Sequence, residues 1–270
     1  MPDDDFGGPL PDNAHLTGAI LRLNDDGSIP GDNPFHQSGQ QTGRRIGGAL
    51  GEEVGLNLQR LYAYGVRNSF GMTFDPVSGV LWTTENGGWI QFMGPLSRVA
   101  DFKAIELASR VGLNGPTGLQ QLRFPAERIS DTPGDARKRL FHMPAAQPRD
   151  PQFSWKNVVP PAALGFISGG GLGPEYEGDL IVGSAVARAT NPGNLYRFRL
   201  NGGRTKFRFD DDRLKDTVAD NTALDDFTTE GEEILSGTSF GIVTDIQTGP
   251  AGALYLVGPV PGEIRKISRP

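Results

Sequence analysis

Residues 61–87 read LYAYGVRNSFGMTFDPVSGVLWTTENG. Two short apolar runs, Met72–Phe74 and Val80–Thr83, flank the turn Asp75-Pro76-Val77-Ser78-Gly79. Alternating strand formers around a Pro and Gly turn predict a β-hairpin, which returns the chain to the side it left. Gly65-Val66-Arg67-Asn68 precedes the first run and Glu85-Asn86-Gly87 follows the second. Both segments are therefore expected at one end of the strand pair. A guanidinium, an amide and a polar glycine loop at one sheet end can form the floor of a binding site.

The same pattern recurs outward from this hairpin. Strands are expected at Ala19–Leu23, Ala163–Ile167, Asp179–Val182, Leu195–Leu200, Ile242–Ile246, Ala253–Val257 and Glu263–Ile267, each bounded by turn residues. Met72–Thr84 and Ile246–Val257 share one plan: strand, Pro-Gly turn, Leu-aromatic, strand. Tyr176–Ser184 is a weaker echo. Gly79 and Gly252 lie roughly four periods apart, at the 40–50 residues of a propeller blade. The pattern fits an all-β fold, either a β-propeller or a β-sandwich with similar hairpins. Ser97–Arg110 carries Val99, Phe102 and Ile105 at helical spacing and predicts one short surface helix over 97–110. Leu214–Glu233 is acidic and strand-poor, a loop excursion. Residues 1–17 form an irregular N-terminal segment, and 18–270 a single domain.

The bulk properties narrow the function. The chain has 270 residues, with Gly 38 and Pro 21, punctuation that disfavours long helices. A net charge of −6 with both signs interspersed excludes a nucleic-acid surface. No apolar run is long enough to span a bilayer. Cys 0 excludes disulfides, thiol catalysis and Cys-based zinc sites. The start, MPDDDFGGP, has neither the basic nor the apolar region of a signal peptide.

Four segments carry a family resemblance. GAILRLNDDGSIPGDNPF (Gly18–Phe35), YGVRNSFGMTFDPVSGVLWTTENG (Tyr64–Gly87), LGPEYEGDLIVGS with NLYRFRLN, and TDIQTGPAGALYLV with GEIRKISRP resemble the soluble quinoprotein glucose/sorbosone dehydrogenases, the PQQ-dependent aldose sugar dehydrogenases. That family is a six-bladed β-propeller binding pyrroloquinoline quinone (PQQ) and calcium at one end of its channel, so about four blades are expected here. The resemblance assigns Arg67, Asn68 and Asn86 to the cofactor and the Gly87 carbonyl to calcium. A planar guanidinium suits the carboxylates of PQQ, and main-chain carbonyls suit calcium. It implies oxidation of aldose sugars or sugar aldehydes, an external electron acceptor, and a periplasmic or secreted location.

The chain also departs from the family pattern. The family's general base is a His upstream of the Gly18–Phe35 segment, and none of His15, His36 and His142 stands in a matching context. No catalytic residue is therefore assigned. Gly87 passes directly to Gly88-Trp89, without the family's acidic segment, and Ile242 and Thr244 stand where many members carry an Arg pair. These departures imply a C-terminal portion of such an enzyme. They also sustain an alternative, a non-catalytic propeller used as a carbohydrate-binding or protein-interaction module.

Overall fold

The computed structural model describes residues 16, 19–64, 69–85, 103–107, 117–119, 147–149, 152–155, 159, 161–184, 193–220, 230–260 and 262–269. The elements, in chain order, are β1 (Ala19–Leu21), α1 (His36–Ile46), α2 (Gly48–Arg60), β2 (Leu61–Tyr64), β3 (Met72–Phe74), β4 (Leu81–Glu85), β5 (Lys103–Leu107), β6 (Thr117–Leu119), β7 (Gln147–Arg149) and β8 (Phe153–Trp155). They continue with β9 (Pro161–Phe166), β10 (Leu180–Ser184), β11 (Leu195–Leu200), β12 (Phe207–Arg208), a 3-10 turn (Asp212–Asp216), β13 (Val218–Ala219), β14 (Leu235–Gly237), β15 (Asp245–Thr248), β16 (Leu254–Gly258) and β17 (Glu263–Ile267).

The strands form several small sheets rather than one large one. β1 pairs with β2. A five-stranded sheet runs β13-β8-β5-β4-β3. The next runs β12-β11-β10-β9 with β14 added to β11, and a third runs β15-β16-β17. Both hairpins of the sequence echo are present. β3 and β4 pair Met72 with Thr83 and Phe74 with Leu81, while β15 and β16 pair Ile246 with Leu256 and Thr248 with Leu254. Gly79 and Gly252 close the two turns at φ +68 and +72, a backbone that side chains rarely tolerate.

Side-chain alternation then stacks these sheets in succession. Leu164, Phe166, Leu180 and Val182 point from β9 and β10 into a cluster with Trp82, Phe153 and Trp155 of the preceding sheet. The alternate residues Ala163 and Ile181 point the other way, onto Val243, Ile246, Leu254 and Leu256. Leu81 faces away from Trp82 and packs on Tyr62 and Ala63 of β2. The β9–β12 sheet is thus buried on both faces. A two-layer sandwich, the alternative left open by the hairpins, buries only one face of each sheet.

Two expectations are corrected. The fold is mostly β but not all-β, because α1 and α2 form a helical hairpin between β1 and β2. Glycines four apart make it possible. A Cβ on Gly51 would lie 2.4 Å from the Gly43 carbonyl oxygen, and one on Gly43 would lie 2.7 Å from the Gly51 oxygen. The many glycines that argued against helices here let two helices touch through their backbones. Replacing Gly51 by Val should push the pair apart and cost about 1–3 kcal/mol, read as a lower urea midpoint. The second correction concerns the helix expected over 97–110. Residues 103–107 are β5, held between β4 and β8, and the rest of that segment lies outside the described residues. KAIEL fits a two-residue period as well as a helical one, and ladder pairing on both sides selects the strand. The Leu214–Glu233 excursion contains the 3-10 turn and β13, which pairs parallel to β8.

Candidate functional site

Arg67, Asn68, Asn86 and Gly87 lie outside the described residues, as do His15 and His142. The chain before and after Arg67-Asn68, and the chain leading into Asn86-Gly87, is described, and it is tightly fixed. β2 ends at Tyr64, which is 2% exposed and packs its ring 5.4 Å from that of Phe35. Asn33 clamps the loop from β1 between the residue that follows β1 and the last turn of α2. Its amide nitrogen donates to the Arg22 and Gln59 carbonyls, each at 2.9 Å. His36 opens α1 and is half-buried.

The other two flanks, Ser69–Gly71 and the end of β4, meet at one buried hydroxyl. The Thr84 N–H donates to the Gly71 carbonyl at 3.0 Å. The Gly71 N–H donates to Thr84 Oγ1 at 3.0 Å, and that hydroxyl donates to the Ala162 carbonyl of β9 at 2.7 Å. Thr84 is 0% exposed. Gly71 is needed for the approach, because a Cβ there would fall 2.1 Å from the Ala162 oxygen and 2.5 Å from Leu164 Cδ2. The chain leaving Asn68 and the chain entering Asn86 are therefore fastened to each other and to the neighbouring sheet.

The opposite end of the hairpin carries a charge clasp. Asp75 is buried, its side chain 0% exposed and that of Arg204 17%. Arg204 Nε and Nη2 donate to the two Asp75 oxygens at 2.5 and 2.8 Å, and Nη2 also donates to the Gly178 carbonyl at 2.8 Å. The Ser78 hydroxyl and the Val77 N–H complete the carboxylate's shell. Burial alone would raise the Asp75 pKa, but these donors outweigh it and hold the carboxyl below its ordinary 3.8. Sequence reading missed this pair, because Arg204 lies in the β11–β12 turn, far along the chain. The Asp-Pro turn was the available signal, read there only as a turn.

A cavity of about 470 Å³ lies between the β1–β2 pair and the hairpin, lined by Leu21, Leu23, Tyr62, Met72, Phe74 and Leu81 among others. Its lining is mostly apolar, with Arg22 among it, and runs along the hairpin from Met72, which pairs with Thr83, to Gly79 at the turn. Among the described residues, no group of three or more His, Cys, Asp or Glu is arranged to hold a metal ion. No helix among them is long and apolar enough to cross a membrane.

With this geometry in place, comparison with known proteins is informative. The chain is 24% identical over 254 residues to the aldose sugar dehydrogenase YliI of Escherichia coli (strain K12), covering 94% of this chain and 51% of that protein. It is 26% identical over 248 residues to an uncharacterised protein of Synechocystis sp., covering 90% of this chain and 43% of that one. The chain thus spans about half the length of these curated relatives. A crystal structure of a glucose dehydrogenase superposes with a TM-score of 0.55 at 18% identity, over 96% of this chain and 56% of the other, so the fold is shared. Residues 9–89, which contain the Asn33 clamp, the hairpin and Thr84, match the family described as Glucose / Sorbosone dehydrogenase.

Proposed function

We propose that this chain supplies the cofactor-binding part of a PQQ- and calcium-dependent dehydrogenase of aldose sugars or sugar aldehydes, on successive blades of a β-propeller. The observation that carries the reading is the Thr84 junction. It fastens together the two chain segments whose neighbours, Arg67-Asn68 and Asn86-Gly87, have the chemistry for a polycarboxylate quinone and a hard cation. The succession of small sheets, each buried against the next, supports the propeller.

The donor set fits these groups in kind. The Arg67 guanidinium would hold cofactor carboxylates through parallel N–H donors, and the amides of Asn68 and Asn86 would orient it. The Gly87 carbonyl would be one of several oxygen ligands of calcium. PQQ, when bound, supplies the quinone that accepts the two electrons of sugar oxidation, to be passed to an external acceptor. The scaffold residues Asn33, Gly71 and Thr84 do no chemistry and keep the donors in place. A periplasmic or secreted location goes with this reading.

Titrating the protein with PQQ in the presence of calcium tests it. A shift of the quinone absorbance and a rise in melting temperature are expected. At a hundredfold excess over Kd the stabilisation is about 2.7 kcal/mol. A calcium chelator should reverse the rise, and Arg67→Leu should weaken binding. Aldose-dependent dye reduction then reads the activity. One observation favours a second reading, a non-catalytic propeller that binds carbohydrate or protein: Ile242 and Thr244 stand where many members of the family carry an Arg pair. That module would give neither the absorbance shift nor the thermal rise with PQQ.

A further inference from the structure

We propose that Asn201 is a site of spontaneous covalent modification, and that the change acts on the Asp75–Arg204 clasp. Asn-Gly pairs stand in the sequence at 86–87, 114–115 and 201–202, and the last lies among the described residues. In such a pair the glycine nitrogen can attack the asparagine side-chain carbonyl, because no Cβ shields that nitrogen or restricts its backbone. The Gly202 N–H loses its proton to water, its nitrogen bonds to Asn201 Cγ, and the side-chain nitrogen leaves as ammonia. Water then opens the cyclic imide on either side, giving aspartate or isoaspartate. The net change is water in and ammonia out, with no other reactant.

The β11–β12 turn favours each part of this step. Asn201 Oδ1 accepts from the Thr205 and Lys206 N–H groups at 3.0 and 3.2 Å. Two donors on this oxygen polarise the carbonyl and face the charge that develops there as the nitrogen adds. Nδ2, the leaving group, lies over the turn, 3.9 Å from where a Cβ of Gly203 would stand, and makes no hydrogen bond among the described residues. The attacking Gly202 N–H has no hydrogen-bond partner among them either, and a Cβ on Gly202 would meet nothing within 4 Å, so water reaches it.

The product matters because of what this turn holds. The Asn201 carbonyl accepts from the Arg204 N–H at 2.9 Å, and the Asn201 N–H donates to the Lys206 carbonyl at 2.9 Å. Aspartate keeps these bonds and still offers an acceptor to Thr205 and Lys206. In isoaspartate the chain runs through the former Cγ and is one atom longer, and the former main-chain carbonyl becomes a free carboxylate. Arg204, whose guanidinium clasps Asp75, then loses the backbone bond that sets its place. It also meets a second carboxylate that competes for the guanidinium.

The full chain is held folded at mildly alkaline pH and, in parallel, unfolded in urea. Residue 201 is followed by peptide mapping with mass spectrometry and by an isoaspartate-specific methyl-transfer assay. The folded chain should convert at residue 201 at least as fast as the unfolded one. Gly202→Ala should slow the folded reaction by about tenfold, because a Cβ restricts the attacking nitrogen. The isoaspartate fraction should unfold at a lower urea midpoint than fresh protein. In Asp75→Ala the same conversion should lower the midpoint much less, because the clasp is already gone; Arg204→Met serves if that variant does not fold. A folded chain that converts more slowly than the unfolded one overturns the proposal, because the turn then protects Asn201. An equal fall in midpoint with and without the clasp overturns the link to Arg204.

Discussion

Replacing Asp75 by Ala lowers the unfolding free energy by about 3–5 kcal/mol, the usual consequence of leaving a buried charge without its partner. The size follows from what remains. Arg204 is mostly buried and has turned two nitrogens toward Asp75, so the variant strands a guanidinium with only the Gly178 carbonyl to accept from it. Arg204 also holds a left-handed backbone, φ +51, which costs about 1–3 kcal/mol in a residue with a side chain. That strain is sustained by the clasp joining the β3–β4 turn to the β11–β12 turn. Urea unfolding of D75A, R204M and the double variant measures it. The double variant should lose much less than the sum of the singles, since removing both charges leaves nothing uncompensated.

The clasp also has a pH signature. The Asp75 pKa is lower in the folded protein than its ordinary 3.8. Its contribution is therefore complete above that ordinary value and is lost as pH falls through the lower, folded value. Asp179 acts in the opposite sense. Burial raises its pKa although Arg197 lies 2.5 Å away, so its contribution is largest when it is protonated and fades as pH rises. The difference between the stability-pH curves of parent and D75A isolates Asp75. It should be constant at neutral pH and shrink below about pH 4. A difference that grows on acidification would mean that Asp75 carries its proton in the folded state.

What was legible in the sequence was local. The Met72–Phe74, Leu195–Leu200 and Glu263–Ile267 strands match the structure residue for residue, because alternation and turn chemistry act within one hairpin. The helical hairpin escapes the sequence pattern, although Leu50, Val54 and Leu58 stand four apart, because a high glycine count disfavours helices. Long-range pairings were invisible. Nothing near Asp75 announces Arg204, and nothing near Thr84 announces Ala162. The most specific motifs divide between scaffold and site. Asn33 and Phe35 of the first segment, and Asp75, Trp82 and Thr84 of the second, are buried and hold sheets together. A match to such motifs thus speaks first for the fold, and the site rests on the few residues between them.

Replacing Trp82 by Ala costs about 3–5 kcal/mol, as expected for removing a buried aromatic from a packed core. Trp82 is 0% exposed and packs β4 onto the next sheet. Its ring lies 5.1 Å from that of Phe207 and 6.4 Å, edge-on, from that of Phe166. Those partners belong to β12 and β9, so the cavity left by Ala opens across the sheet interface, where neither backbone can follow to close it. A sharper comparison is Trp82→Phe. The indole N–H has no hydrogen-bond partner among the described residues, so Phe removes some apolar contact and relieves a buried donor at the same time. W82F should lose less than about 1.5 kcal/mol, as a swap that keeps most of the volume does. Thermal and urea unfolding of the two variants separate the terms. A W82F variant as unstable as W82A would show that the N–H is satisfied in solution, and that the indole holds the two sheets by a bond as well as by its area.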